Sequence, residues 1–365
     1  MRRWLRDLTL FGILALAAAE VLLRTAVPAC MTPETAQDTE FRVLLFDTTA
    51  ARTGVYTNGR LARDRVRWRI NDLGWNSPID DAGPAQPGRA RVAVLGDSYV
   101  EGLYVDVDRG LAPRTDAALG DRAQVMGLGK SGLNLAQCVN VAAYARARLA
   151  PDVTVVLLTS GGLRRSLEPI VSRPFNRQYT PQSDTFAVRQ PRVYGAAGQR
   201  TLRKVLRLSA LARYLRLNVG LRLGPGAIVQ ATREDAVADE QEQRLLRRLA
   251  LRIVTDLRTA VGDGELLVVC DADRRALDGA SAPPPPLPEG AIVREACSDA
   301  GVRYLDLSDA FWKASEQGQA PFQSKDNYHW NDRGLAVASS ALASAVAALL
   351  NESDHRASPA AGAAR

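Results

Sequence analysis

The chain is poor in the residues that hold metals and build disulfide frameworks. Its 365 residues include two histidines, His329 and His355. So few argue against a histidine-based metal site and leave little choice of catalytic base. The four cysteines, Cys30, Cys138, Cys270 and Cys297, stand far apart and form no CxxC pair. A zinc framework is therefore excluded, while a Cys270–Cys297 bridge stays open. Neither GxGxxG nor a GxxxxGK-type loop follows any strand-like stretch, which argues against nucleotide binding. Nothing in the pattern calls for a cofactor. The net charge of +7 comes mostly from arginine spread along the chain. Dispersed charge of this kind aids solubility and adhesion to anionic surfaces but is no nucleic-acid signature.

What is present begins at the N-terminus. Arg2, Arg3 and Arg6 precede an apolar run from Leu8 to Ala19, continued by Val21-Leu22-Leu23 after Glu20 and closed by Arg24. A basic flank before a hydrophobic segment reads as an export signal or an uncleaved anchor. The run spans a bilayer if Glu20 lies near the far interface and Arg24 snorkels. Ala29-Cys30 stands where a lipoprotein signal would end, but Pro28, Glu20 and Arg24 fit that poorly. Residues 1–30 are therefore expected to form a single membrane helix, N-terminus inside and domain outside, with cleavage after export as the alternative.

Residues 31–90 carry short alternating runs such as Arg65 to Ile70, between turn signals at Asn71 to Gly74 and Asn76 to Pro78. They predict a small β-rich lead-in packed on the main domain. From Arg91 apolar strands alternate with helices. Strands are expected at Val92–Leu95, Ala123–Leu128, Asp152–Leu158, Glu265–Cys270 and Val302–Leu307, with helices at Asn134–Leu149 and Leu335–Leu350. Five near-continuous apolar strands separated by helices imply a parallel, doubly wound α/β sheet covered on both faces over residues 91–350.

An insertion, about 164–236, separates strands three and four. Its first part lacks periodicity and reads as extended loop. Within it Arg200, Arg203, Lys204 and Arg207 share a helical face opposite Leu202, Val205 and Leu206. This is either a membrane-surface helix or an ordinary solvated one. Residues 351–365, including His355, read as a disordered tail.

Two stretches carry chemistry. In RVAVLGDSYVEG, Arg91 to Gly102, a buried strand ends at Gly96 and Ser98 follows at the tip. That is where open α/β sheets bind ligands, and an exposed hydroxyl there attacks a carbonyl if a base is in reach. The same Asp97-Ser98 pair also suits a plain helix cap. In DNYHWNDRG, Asp326 to Gly334, the three-residue spacing lets Asp326 meet one ring nitrogen of His329 while the other faces the sheet edge. Asn331 or Asp332 can cap the closing helix.

With both stretches in view the chain resembles the SGNH, or GDSL, hydrolases over most of Arg69 to Leu350. The resemblance implies a three-layer α/β/α sandwich with a flavodoxin-like five-stranded parallel sheet. It makes Ser98 the nucleophile, His329 the base and Asp326 its orienting acid. It makes the backbone N–H groups of Ser98 and Gly132 the oxyanion hole, Gly132 lying in the second block, Gly127 to Gly132. The lead-in Arg69 to Gly74 also resembles that of anchored bacterial members. The third block departs. The family has Gly-x-Asn-Asp, and here Thr159-Ser160-Gly161-Gly162 stands without asparagine. Thr159, Ser160, the Gly161-Gly162 backbone or Asn134 are the candidate replacement donors.

The implied function is an O-acyl (acetyl) esterase on extracytoplasmic carbohydrate or lipid, with a membrane as partner. The alternatives are an O-acyltransferase of cell-surface polysaccharide and a non-catalytic carbohydrate-binding or assembly protein. Oligomeric state is not legible.

Overall fold

The structure is a computed structural model that describes residues 2–80, 83, 86–170, 172–193, 207–221, 240–274, 276–277, 280, 282–324 and 329–357. An N-terminal helix, α1 (Arg2–Thr25), leads the chain, and only Leu23 within it is buried. Four short strands follow: β1 (Thr35–Asp38), β2 (Val43–Phe46), β3 (Thr53–Asn58) and β4 (Asp64–Arg69), paired as antiparallel β1–β2 and β3–β4 hairpins. Trp75 then seats on the main domain, edge-on to Tyr144 with ring centroids 5.9 Å apart.

The main sheet holds β5 (Ala90–Gly96), β6 (Ala123–Gly129), β7 (Val153–Leu158), β10 (Glu265–Cys270) and β11 (Arg303–Asp306), in the order β11-β10-β7-β5-β6. Every pairing is parallel. Numbered within the sheet this is 2-1-3-4-5, the flavodoxin-like order, so the α/β/α class expected from the sequence is the one observed. All six residues of β7 and the last five of β5 are buried, because helices cover both faces. Each fully buried Val or Leu contributes about 1.5–3 kcal/mol. On one face lie α4 (Gln137–Leu149), α6 (Glu240–Val261) and α7 (Pro288–Asp299); on the other lie α3 (Leu111–Leu119), α8 (Ser308–Glu316) and α9 (Asp332–Ala357). Helix α2 (Ser98–Glu101) and helix α5 (Ala210–Arg213) are single turns.

Several boundaries differ from the sequence expectation. Helix α4 starts at Gln137, not Asn134, because the Asn134 side chain accepts from the Gln137 N–H at 2.9 Å and caps the helix. Asn331 does the same for α9, accepting from the Gly334 N–H at 2.9 Å. Helix α9 then runs to Ala357, past the Leu350 end expected and into the segment read as a disordered tail. The side chain of His355 lies outside the described residues. The first part of the insertion is not plain loop. It carries the antiparallel hairpin β8 (Gln178–Pro181) and β9 (Phe186–Arg189). Strands of four residues are too short to show a period. This hairpin is held by buried Tyr179 against Phe186 and by the Gln178 amide, which donates to the carbonyls of Arg165, Leu167 and Ile170. The proposed basic helix face at Arg200, Arg203 and Lys204 lies outside the described residues. The four cysteines are free and buried, so Cys270 and Cys297 are not bridged.

The tightest approach in the fold is between β6 and α2. A Cβ on Gly129 would stand 2.1 Å from the Glu101 nitrogen and 2.4 Å from the Val100 carbonyl carbon. Only glycine fits such a backbone contact. Gly129→Ala is expected to lower the unfolding free energy by about 1–3 kcal/mol through overpacking. Chemical denaturation checks this.

Candidate active site

Strand β5 delivers its last residues to the crevice where the strand order reverses, between β5 and β7. Asp97 caps α2, accepting from the Tyr99 N–H at 3.1 Å. The helix closes at Gly102, whose φ of 66° lies in the left-handed region. The helix-cap role expected of the Asp97-Ser98 pair is thus filled by Asp97. Ser98 begins α2 half-buried, and its Oγ lies 2.7 Å from Nε2 of His329, 231 residues away in sequence. For the serine hydroxyl to donate, Nε2 must be the accepting nitrogen, which puts the ring proton on Nδ1. Asp326, the expected partner of that nitrogen, lies outside the described residues.

The imidazole sits in an aromatic frame that sequence reasoning missed. Tyr104 stacks on it with centroids 4.3 Å apart and an interplanar angle of 19°, and Tyr99 lies 4.9 Å away. Behind them Asp271, at the end of β10, pairs with Arg274 and accepts from the Trp330 indole N–H at 3.1 Å. Arg274 also donates to the Tyr99 hydroxyl at 2.8 Å. The signal for this frame was present but weak: Tyr99 and Trp330 directly follow Ser98 and His329. Burial of the ring lowers the His329 pKa to about 4, and the Arg274 charge adds to the effect.

The stretch Gly127 to Gly132 meets helix α2 through a buried ion pair. Lys130 Nζ lies 2.9 Å from Glu101 Oε1 and 3.2 Å from the centroid of the Phe46 ring. The Ser131 hydroxyl donates to the other Glu101 oxygen, and the Lys130 N–H donates to the Gly96 carbonyl at 3.1 Å. Burial pulls the Lys130 pKa down, opposed by Glu101. Gly132 follows with a φ of 83°, its carbonyl held by the Asn176 amide at 2.8 Å. These contacts bring Gly132 to the same sheet edge as Ser98.

Two of the expected replacement donors make other hydrogen bonds. Asn134 is committed to structure: its amide donates to the Arg165 and Arg177 carbonyls at 2.9 and 3.0 Å. The Thr159 hydroxyl binds the Asp97 carboxylate at 2.5 Å. Burial pushes the Asp97 pKa up, and the bonds from Thr159 and the Tyr99 N–H oppose that rise. The Gly162 N–H closes the turn onto the Thr159 carbonyl at 3.1 Å. Of the named donors, exposed Ser160 and Gly161, with a φ of 74°, stay compatible with the role.

Sheet order, a serine just after the first strand of the sheet and a histidine just before the last helix define an α/β/α protein with a Ser–His pair at the carboxyl edge of its sheet. No protein-family model and no curated protein matches the chain. Among solved structures it is similar to an alpha/beta hydrolase enzyme from the metagenome of Lake Arreo, Spain, at 13% identity over 74% of this chain and 97% of that one, TM-score 0.39. It is also similar to the M. smegmatis aryl esterase, at 13% identity over 71% of this chain and 99% of that one, TM-score 0.36. A two-domain esterase active on acetylated mannans matches at 11% identity over 72% of this chain and 49% of that one, TM-score 0.37. At such identities and scores the chemistry has to be read from the Ser98–His329 geometry.

Two outcomes follow from this site. If His329 serves as a base, it must be neutral to accept a proton, and protonation removes it. With a pKa of about 4, kcat/KM for a small aryl acetate should fall through pH 4 on acidification and be level from pH 6 upward. A pH–rate profile reads this directly. For the ion pair, Glu101→Gln strands a buried ammonium and should cost about 3–5 kcal/mol of stability. Glu101→Gln with Lys130→Met should recover a large part of that loss, and a double-mutant cycle by urea unfolding measures the coupling.

Proposed function

We propose that this chain is a serine hydrolase of ester bonds, an O-acyl esterase acting on acetylated carbohydrate or on lipid outside the cytoplasmic membrane, to which α1 holds it. The observation that carries the reading is the 2.7 Å contact between Ser98 Oγ and His329 Nε2 at the carboxyl edge of the sheet. Ser98 attacks the acyl carbonyl while Nε2 takes its proton. The negative charge that develops on the carbonyl oxygen is met by the N–H groups of Ser98 and Gly132, with Ser160 or Gly161 as third donor. Collapse of the tetrahedral species expels the alcohol, which takes the proton back from His329. An acyl group is left on Ser98. Water, deprotonated by His329, then attacks that ester and frees the acid. A sugar hydroxyl in place of the water gives an O-acyltransferase by the same steps.

One observation favours a second reading. Thr159 is tied to Asp97 where the family has its donor-bearing loop. A lost oxyanion donor typically costs about 100- to 1000-fold in rate, which suits a non-catalytic carbohydrate-binding protein that retains the fold. Location rests on α1, a 24-residue helix long and apolar enough to cross a membrane. Such a helix serves equally as an anchor or as a signal sequence.

A fluorophosphonate probe should label the wild-type chain at Ser98, found by peptide mapping, and should not label Ser98→Ala. Turnover of an aryl acetate should fall at least about 1000-fold in Ser98→Ala and in His329→Ala. If the probe marks neither chain and turnover is equally negligible in both, the non-catalytic reading takes the place of the esterase.

A further inference from the structure

The root of α1 is not a free tether. Glu20, near its C-terminal end, accepts from the N–H groups of Ala210 and Leu211 at 2.7 and 2.9 Å and from the Ser209 hydroxyl at 3.0 Å. Arg24 binds Glu20 at 2.6 Å and the Leu208 carbonyl at 2.6 Å. Leu23 packs with Ala29 and Ala210. Asn218 then joins three segments. Its side-chain oxygen accepts from the Cys30 N–H at 2.9 Å, and its amide donates to Thr57 Oγ1 at 3.0 Å and to the Gly59 carbonyl at 3.1 Å. The Tyr214 hydroxyl donates to the Arg60 carbonyl at 2.7 Å. Residues 207–221 and the turn between β3 and β4 are therefore fixed side by side around the foot of α1.

The surface they expose is unusual for water. Leu208 is 72% exposed and Leu61 60%, with Leu215, Leu217, Val219 and Leu221 also exposed. Interleaved with them are arginines: 207–221 holds Arg207, Arg213 and Arg216 with no acidic residue, and 57–65 holds Arg60, Arg63 and Arg65 against Asp64 alone. Exposed leucine among arginine is the composition of segments that sit at the boundary of acyl chains and phosphate headgroups.

Depth follows from the contacts with Glu20. A 24-residue helix is about 36 Å long, enough for a hydrocarbon core of about 30 Å. If α1 spans the bilayer, Glu20 and Arg24 lie at the far interface, and Ser209 to Leu211 lie at the same level because they bind Glu20. We propose that residues 207–221 and the Leu61 turn form a collar seated in the phospholipid interface around the foot of α1. The collar gives the domain a fixed orientation on the membrane. Hairpin β3–β4 carries that orientation toward the active site, since the Arg67 N–H donates to Asp106, eight residues beyond Ser98, at 2.8 Å. This inference rests on α1 being an uncleaved anchor, so the test separates the two.

The full chain is reconstituted in vesicles of phosphatidylcholine and phosphatidylglycerol containing a lipid spin-labelled near the headgroup end of its acyl chain. A fluorophore is placed singly at Leu208→Cys, Leu217→Cys or Leu61→Cys, at Phe11→Cys within α1, and at Asp299→Cys on α7. The four native thiols are buried and stay unlabelled in the folded chain. The expected result is quenching at 61, 208 and 217 at least threefold greater than at 299, with 11 also quenched relative to a quencher-free vesicle. Quenching at 11 but no excess over 299 at the three collar sites overturns the collar and leaves the anchor standing. Absence of quenching at 11 removes the anchor, and the collar with it.

Discussion

The site depends on how closely α2 is pressed against the end of β6. The backbone of Glu101 occupies the space a side chain on Gly129 would need. That contact sets the depth at which the nucleophile turn leaves the sheet. It puts Glu101 where Lys130 and Ser131 reach it, so the loop that carries Gly132 is tied to the helix that begins with Ser98. A buried ion pair is a poor source of stability, because desolvation offsets most of the attraction. Here its effect is positional: the turn that begins with Ser98 and the loop that leads to Gly132 are joined by the only ionic contact between them among the described residues.

The sequence made the sheet and the reacting pair legible for different reasons. Val92 to Leu95, Val153 to Leu158 and Glu265 to Cys270 are apolar on both faces, and a strand buried on both sides leaves that unbroken mark. Gly96-Asp97-Ser98 and His329 were legible because a chain with two histidines offers little competition. Tyr104, Arg274 and Asp271 were not, since their roles arise from contacts with distant segments: Tyr104 with His329, Arg274 with Tyr99 and Asp271 with Trp330. Gln178 and Glu101 hid for a related reason. A polar residue that satisfies buried groups looks, in sequence, like one facing water. The engagement of the donor candidates was hidden in the same way: the side chains of Asn134 and Thr159 are hydrogen-bonded to distant segments.

The third-block loop shows what such engagement does. Thr159 joins the ends of β5 and β7 by binding Asp97. Asp97 needs that bond. Its carboxyl is buried, and the threonine hydroxyl and the Tyr99 N–H are what hold it against desolvation. The loop is therefore part of the support for the turn that carries Ser98.

His329 works under opposing demands. Stacking on Tyr104 and contact with Tyr99 fix the ring and strip it of water, which holds it neutral and ready to accept a proton. The same burial makes it a weak base, so the imidazolium formed in the proposed reaction would need stabilising from within the protein. Arg274 opposes that cation. Its charge, however, is matched by Asp271 and spread over the Tyr99 and Trp330 rings, at 5.3 and 5.8 Å. The indole N–H of Trp330 binds the same Asp271 carboxylate. Because Trp330 is the residue after His329, the pairing that neutralises the arginine also sets the backbone from which the histidine projects.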